Sequence, residues 1–75
     1  MNRNQLKWRC RRGMRELDAL MTGYLGAHYA SVDDAEKRGF ERLLELPDPV
    51  LVGYLLKGEQ PDDPDIGRVI RRILG

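Results

Sequence analysis

Two Asp-Pro pairs, Asp48-Pro49 and Asp63-Pro64, set the terms on which this chain folds. Each puts a capping side chain directly before a residue that lacks an N–H and is fixed near helical φ, which is the chemistry of a helix start. Pro47 stops whatever precedes the first pair, and Gly58 lies where the segment between the pairs must end. Ser31-Val32-Asp33-Asp34 predicts another start, with Ser31 as the cap and the acids at the positive end of the dipole. Gly13 is a further break, free to take positive φ and turn the chain from one helix into the next. So punctuated, the 75 residues have room only for short helices.

The segments between the breaks carry helical patterns. Asn4 to Cys10 reads as a short helix with Leu6, Trp8 and Cys10 as its apolar members, although their spacing fits a strand equally. From about Met14 to Tyr29, Met14, Leu17, Met21, Tyr24 and His28 recur at helical steps, and Leu20 and Leu25 widen the stripe. Gly23 and Gly26 each cost about 1 kcal/mol there relative to alanine, so they read as points of close packing or as a fraying end. A third helix carries Ala35, Phe40, Leu43, Leu44 and Leu46. A fourth carries Val50, Leu51, Tyr54, Leu55 and Leu56, and a fifth Ile66, Val69, Ile70, Ile73 and Leu74. The predicted fold is all-α, a small five-helix bundle forming a single domain over residues 1–75. A chain of this size buries roughly 60% of its unfolded surface, so few residues are spare.

Several function classes are excluded. The one cysteine, Cys10, allows no disulfide within the chain, gives no zinc spacing, and favours a reducing compartment. No apolar run approaches the roughly 20 residues of a membrane helix, and the N-terminal charges are followed by no apolar signal core. A cytoplasmic monomer with no membrane partner is expected. His28 sits in the apolar stripe with no second ligand nearby, which reads as a packed histidine. No phosphate-binding glycine loop occurs, and His28, Cys10, Ser31 and Thr22 assemble no triad by spacing. The acid pairs Asp33-Asp34 and Asp62-Asp63 are explained by capping. The chain is expected not to be an enzyme and to hold no stably bound cofactor.

Charge is unevenly spread. Residues 1–15 hold six cations and no acid, residues 16–67 hold all 12 acids, and Arg68, Arg71 and Arg72 close the chain. Such asymmetry means either internal complementarity or a basic face for a partner. The densest polar group is Arg11-Arg12-Gly13-Met14-Arg15-Glu16-Leu17-Asp18. A helix junction with Arg12 paired to Glu16 is one reading of it. Three arginines at the positive end of a helix dipole oppose local stability, however, and this points to an external partner. The candidate partner-binding residues are Trp8, Arg11, Arg12, Gly13, Met14, Arg15, Glu16 and Asp18.

These residues carry a resemblance. Arg12-Gly13-Met14-Arg15-Glu16 reads as an RGxxE motif, with Trp8 and Cys10 just upstream. Asp34, Glu36-Lys37-Arg38, Phe40, Arg42-Leu43-Leu44-Glu45 and Asp48-Pro49 form a second stretch in matching order and spacing. Across residues 6–74 the chain resembles the small succinate dehydrogenase assembly factors of the SdhE type, often called flavinators. Its Gly23–Ala27 stretch is smaller and less acidic than is usual there. The resemblance implies a five-helix protein that binds the flavoprotein subunit of succinate dehydrogenase, and in some bacteria of fumarate reductase. It also implies that the protein promotes covalent attachment of FAD to a histidine of that subunit, so the flavin belongs to the partner. Two other readings stay open on the sequence: an antitoxin-type or other protein-interaction module, and a nucleic-acid-binding domain using the basic arm. The second is the weaker, because the basic arm is short for a phosphate-binding surface.

Overall fold

The computed structural model describes residues 2–75 and holds five α-helices among them. Helix α1 (Arg3–Arg9) starts at Asn2, whose side chain accepts from the Gln5 N–H at 2.9 Å while the Gln5 side chain accepts from the Asn2 N–H at 3.0 Å. This reciprocal capping box favours helix over strand in a segment whose spacing was ambiguous. Leu6 and Cys10, four residues apart, share the buried side, and Trp8 faces outward with 71% of its surface exposed. Trp8, an apolar member of this helix by sequence, is therefore not part of the core.

Helix α2 (Arg15–Ala27) buries Leu17, Met21, Tyr24 and Leu25. It ends short of Tyr29, which begins a 3-10 turn over Tyr29–Ser31. Ser31 closes that turn: its N–H and its hydroxyl both donate to the His28 carbonyl, at 2.9 and 3.0 Å. It is thus unavailable as the cap expected of it, and Asp33 caps α3 (Asp34–Leu44) by accepting from the Glu36 N–H at 2.8 Å. The packing role considered for Gly23 and Gly26 is also overturned, because a Cβ at either meets nothing within 4 Å. His28 is half-buried, as its place in the stripe implied.

Helix α4 (Asp48–Leu56) has Pro47 at its N-cap, which moves Asp48 into the first helical position and Pro49 into the second. Asp48 is therefore not the cap. Helix α5 (Pro64–Leu74) does start as expected, with Asp63 accepting from the Asp65 and Ile66 N–H groups at 2.9 and 3.3 Å. Between them Gly58 takes φ +75°, which lets the Glu59 N–H return to the Gly53 carbonyl at 2.9 Å. Leu56 and Leu74, assigned to apolar stripes, are 46% and 53% exposed because each falls in the last turn, where the helix leaves its neighbours.

Phe40, Leu43, Leu17, Met21, Leu51 and Val69 form the centre of the core, with the Tyr24 and Phe40 rings 4.6 Å apart. The most extensive helix contact joins α3 to α5. Gly39 makes it possible: a Cβ there would lie 2.8 Å from the Asp65 carbonyl carbon, which is backbone and cannot swing aside. Charge then locks the pair reciprocally. The α3 cap Asp33 receives the Arg68 guanidinium from α5 at 3.0 and 3.1 Å, and the α5 cap Asp63 receives Arg42 from α3 at 2.8 Å. Glu36, 1% exposed, takes Arg72 at 2.8 and 3.1 Å and the Tyr24 hydroxyl at 2.8 Å. A buried carboxylate satisfied by three donors is tolerated, and Arg72 holds its pKa below the ordinary value.

Candidate functional site

The turn between α1 and α2 is fixed by groups far apart in the sequence. Arg12 reaches across to the end of α3, where it donates to the carbonyl oxygens of Leu44 and Leu46, the latter at 3.3 Å. Its guanidinium also lies 3.9 Å from the Asp48 carboxylate at the start of α4. A cation here meets the last carbonyl of α3, Leu44, and that of Leu46 two residues beyond, at the negative end of that helix's dipole. The arginine expected to oppose the dipole of α2 thus supports that of α3. The Arg12 backbone N–H donates to Asp18 on the first turns of α2, so a second contact fastens the turn from the other side. The Arg12–Glu16 pair expected of a simple helix junction does not form, because Arg12 points toward α3.

Between these fixings Gly13 takes φ +83°, and a Cβ built on it meets nothing within 4 Å. Glycine is needed there for backbone conformation; on its outer side the chain leaves open space. Met14 follows as the N-cap of α2, half-buried against the core. Arg15 and Glu16 occupy the first turn of α2 with exposed side chains, and the carboxylate favours the positive helix end. The eight expected residues thus divide. Arg12, Met14 and Asp18 turn inward and shape the turn, whereas Trp8, Arg11, Gly13, Arg15 and Glu16 lie at the surface.

Beside the turn, α1 and α2 enclose a groove of about 440 Å³ lined by Asn4, Lys7, Trp8, Arg11 and Thr22. The Arg11 guanidinium lies over the Trp8 ring, 5.4 Å from its centroid. Asn4, Lys7 and Thr22 were not singled out in the sequence. The signal was present for the first two, since positions 4, 7, 8 and 11 share one helical face once α1 is known to be a helix. Thr22 enters only through the packing of α2 beside α1.

The pairing of charges answers the question raised by their asymmetry. The C-terminal Arg68 and Arg72 are matched internally by Asp33, Asp65 and Glu36. At the N-terminal end, Lys7, Arg9, Arg11 and Arg15 make no ion pair among the described residues. Internal complementarity therefore accounts for Arg68 and Arg72, while Arg71 and the four N-terminal cations make no ion pair among the described residues. Chemically the site offers cations, one exposed carboxylate and an aromatic face. Cys10, under the turn, is fully buried, and burial pushes its thiol up to about 11, which leaves it a poor nucleophile at neutral pH. No group of three or more His, Cys, Asp or Glu residues able to hold a metal ion occurs among the described residues, and no described helix is long and apolar enough to cross a membrane.

Comparison with known proteins matches this arrangement to one family. A family model described as a flavinator of succinate dehydrogenase matches residues 4–75. The FAD assembly factor SdhE of Pectobacterium atrosepticum is 39% identical over 72 residues, covering 96% of this chain and 82% of the relative. The protein of the same name from Yersinia pseudotuberculosis is likewise 39% identical over 72 residues, with the same coverage. That of Coxiella burnetii is 38% identical over 69 residues, 92% of this chain and 84% of its own length. An all-α chain with a family match from residue 4 to residue 75 and relatives of this similarity belongs to the succinate dehydrogenase flavinator family.

Proposed function

We propose that this chain is an assembly factor that binds the flavoprotein subunit of succinate dehydrogenase and promotes covalent attachment of FAD to it. The observation that carries the reading is the turn at Gly13. It is held from inside by Arg12 and Asp18 while Arg15 and Glu16 are presented outward on a fixed helix end. A turn held from within presents these charges from one place on the surface and can so hold a partner in one arrangement; positioning alone can offset about 7–11 kcal/mol of a barrier.

The flavin supplies the reactive chemistry and the partner's histidine supplies the nucleophile. What this chain contributes is placement. Arg15 binds carboxylate or carbonyl oxygens of the partner, and Glu16 orients the target histidine or a neighbouring cation. Gly13, with open space outside it, allows the partner's backbone to approach. The chain itself acts as a chaperone and holds no flavin of its own. The flavoprotein subunit of fumarate reductase, where present, is a second client of the same kind.

The test is direct. The chain is mixed with the apo flavoprotein subunit and FAD, denatured, and run on a gel viewed under ultraviolet light. Flavin fluorescence should rise on the large subunit and be absent from the 8.7 kDa band. Fluorescence on the small band, or no gain on the large one, would overturn the reading.

A further inference from the structure

We infer that the groove between α1 and α2 is a docking site for an acidic segment of the flavoprotein subunit, an inference that rests on the function proposed above. On this division the groove supplies affinity, and the turn at Gly13 supplies the arrangement in which the flavin is attached.

Charge is the first argument. Lys7 and Arg11 line the groove, and Arg9 and Arg15 flank it in sequence. None of the four has an acidic partner among the described residues, although Arg12, Arg42, Arg68 and Arg72 each have one. Lys37, Arg38 and Arg71 on α3 and α5 are likewise without an ion pair among the described residues, but only at this groove do two such cations line one concave surface together with an exposed aromatic ring. An acidic occupant would neutralise both cations at once.

Trp8 is the second argument. It is the chain's sole tryptophan, and it is 71% exposed in a protein that buries Phe40 and Tyr24 almost completely. Tryptophan and arginine are the side chains that dominate binding energy at interfaces. The Arg11 guanidinium over the ring orders both groups before a partner arrives, which reduces the entropy lost on docking. Lys7 and Arg11 then meet carboxylates, a neighbouring apolar side chain packs on the open ring face, and Asn4 and Thr22 hydrogen-bond to backbone. Nucleic acid fits less well. Arg11 already covers one face of the only tryptophan, the net charge is only +1, and Glu16 and Asp18 stand in the adjoining turns.

The experiment uses the full chain and the apo flavoprotein subunit. Fluorotryptophan incorporated at Trp8 gives a single fluorine resonance that should shift or broaden as the subunit is added. The double variant Lys7→Glu/Arg11→Glu should raise the subunit concentration for half-saturation at least about tenfold. Thr22→Tyr, which fills the groove without altering charge, should also weaken binding. Arg71→Glu, an exposed change on α5, should leave binding as it is. Circular dichroism verifies that each variant is folded. A double variant that binds like wild type, or is weakened only as much as Arg71→Glu, would overturn the groove while wild-type flavinylation still supported the assembly role. A wild-type chain that neither binds nor flavinylates the subunit would overturn both. A single-stranded oligonucleotide that binds more tightly than the subunit at about 0.15 M salt would overturn the choice of partner.

Discussion

Arg12 donates to the Leu46 carbonyl at 3.3 Å, across 34 positions of sequence, and so joins the turn after α1 to the end of α3. The same guanidinium meets the Leu44 carbonyl and lies 3.9 Å from Asp48. The two stretches that carry the family resemblance are thereby connected through one side chain. Arg12 holds the turn in shape from within, and Glu16 faces outward from it.

The division of labour predicts different phenotypes within one motif. Arg12→Ala removes hydrogen bonds from a largely buried guanidinium and should cost about 1–3 kcal/mol of stability. Glu16→Ala, on the surface, should change stability by less than about 0.5 kcal/mol yet sharply lower the covalent flavin yield. Because the two side chains share no contact, their stability effects should add in the double variant. Urea unfolding and gel fluorescence measure the two properties separately.

Gly13 separates conformation from contact. At φ +83° an alanine is strained although nothing crowds it, so Gly13→Ala should cost about 1–2 kcal/mol in thermal melts. Gly13→Arg should cost a similar amount in stability and reduce client binding further, because its side chain occupies the space left for the partner. Equal binding by the two variants would show that no partner approaches there.

Three helical glycines should respond differently to substitution by alanine, one destabilising, one near neutral and one stabilising. Gly39→Ala drives a methyl into the Asp65 backbone and should destabilise by about 1–3 kcal/mol. At Gly53 the clash is with the end of the Glu59 side chain, which can rotate off; the effect should stay within about 0.5 kcal/mol. Gly23→Ala, exposed in mid-helix with nothing nearby, should stabilise by about 0.4–1 kcal/mol. Chemical unfolding of the three variants gives the order.

Stability should fall at both ends of the pH scale. Arg72 and Tyr24 bond to the Glu36 carboxylate and hold its folded pKa below the ordinary 4.5. Its contribution is therefore complete above that value and is lost as pH falls through the depressed one. Asp33 and Asp63, lowered by Arg68 and Arg42, add to the same acid slope, so Glu36→Gln should flatten only part of it. At the alkaline end burial raises the Tyr24 hydroxyl and pushes Tyr29 up to about 12. Unfolded phenols ionise first, and stability should drop as pH rises above about 10. Melting temperatures across the pH range follow both limbs.

Cys10 provides a probe of the turn. Its thiol is fully buried and pushed up to about 11, so labelling by a maleimide at neutral pH should be slow and track opening of the native state. Arg12→Ala should accelerate labelling through its effect on the turn above the thiol. An unchanged rate would show that Arg12 does not hold that turn.

The sequence by itself determined where helices start and stop, because that chemistry is local. Asp63-Pro64, Gly13 and Gly58 act through their own φ angles and nearest N–H groups, and the apolar stripes of α2 and α3 follow from helical period. Local rules also misplaced Ser31 and Asp48, each a plausible cap that a neighbour displaced. The period fixes which residues share a face but not which neighbour meets that face. For that reason the destinations of the long cations were decided only by tertiary structure: Arg12 on the end of α3, Arg68 and Arg72 on the acids of α3, and Lys7 and Arg11 on no acid among the described residues. The need for glycine at Gly39 was hidden for the same reason, since the Asp65 backbone that requires it lies 26 positions away in the chain. The motif at Gly13 was legible as a cluster of charge; which of its members face inward and which face a partner depended on where α3 ends in space.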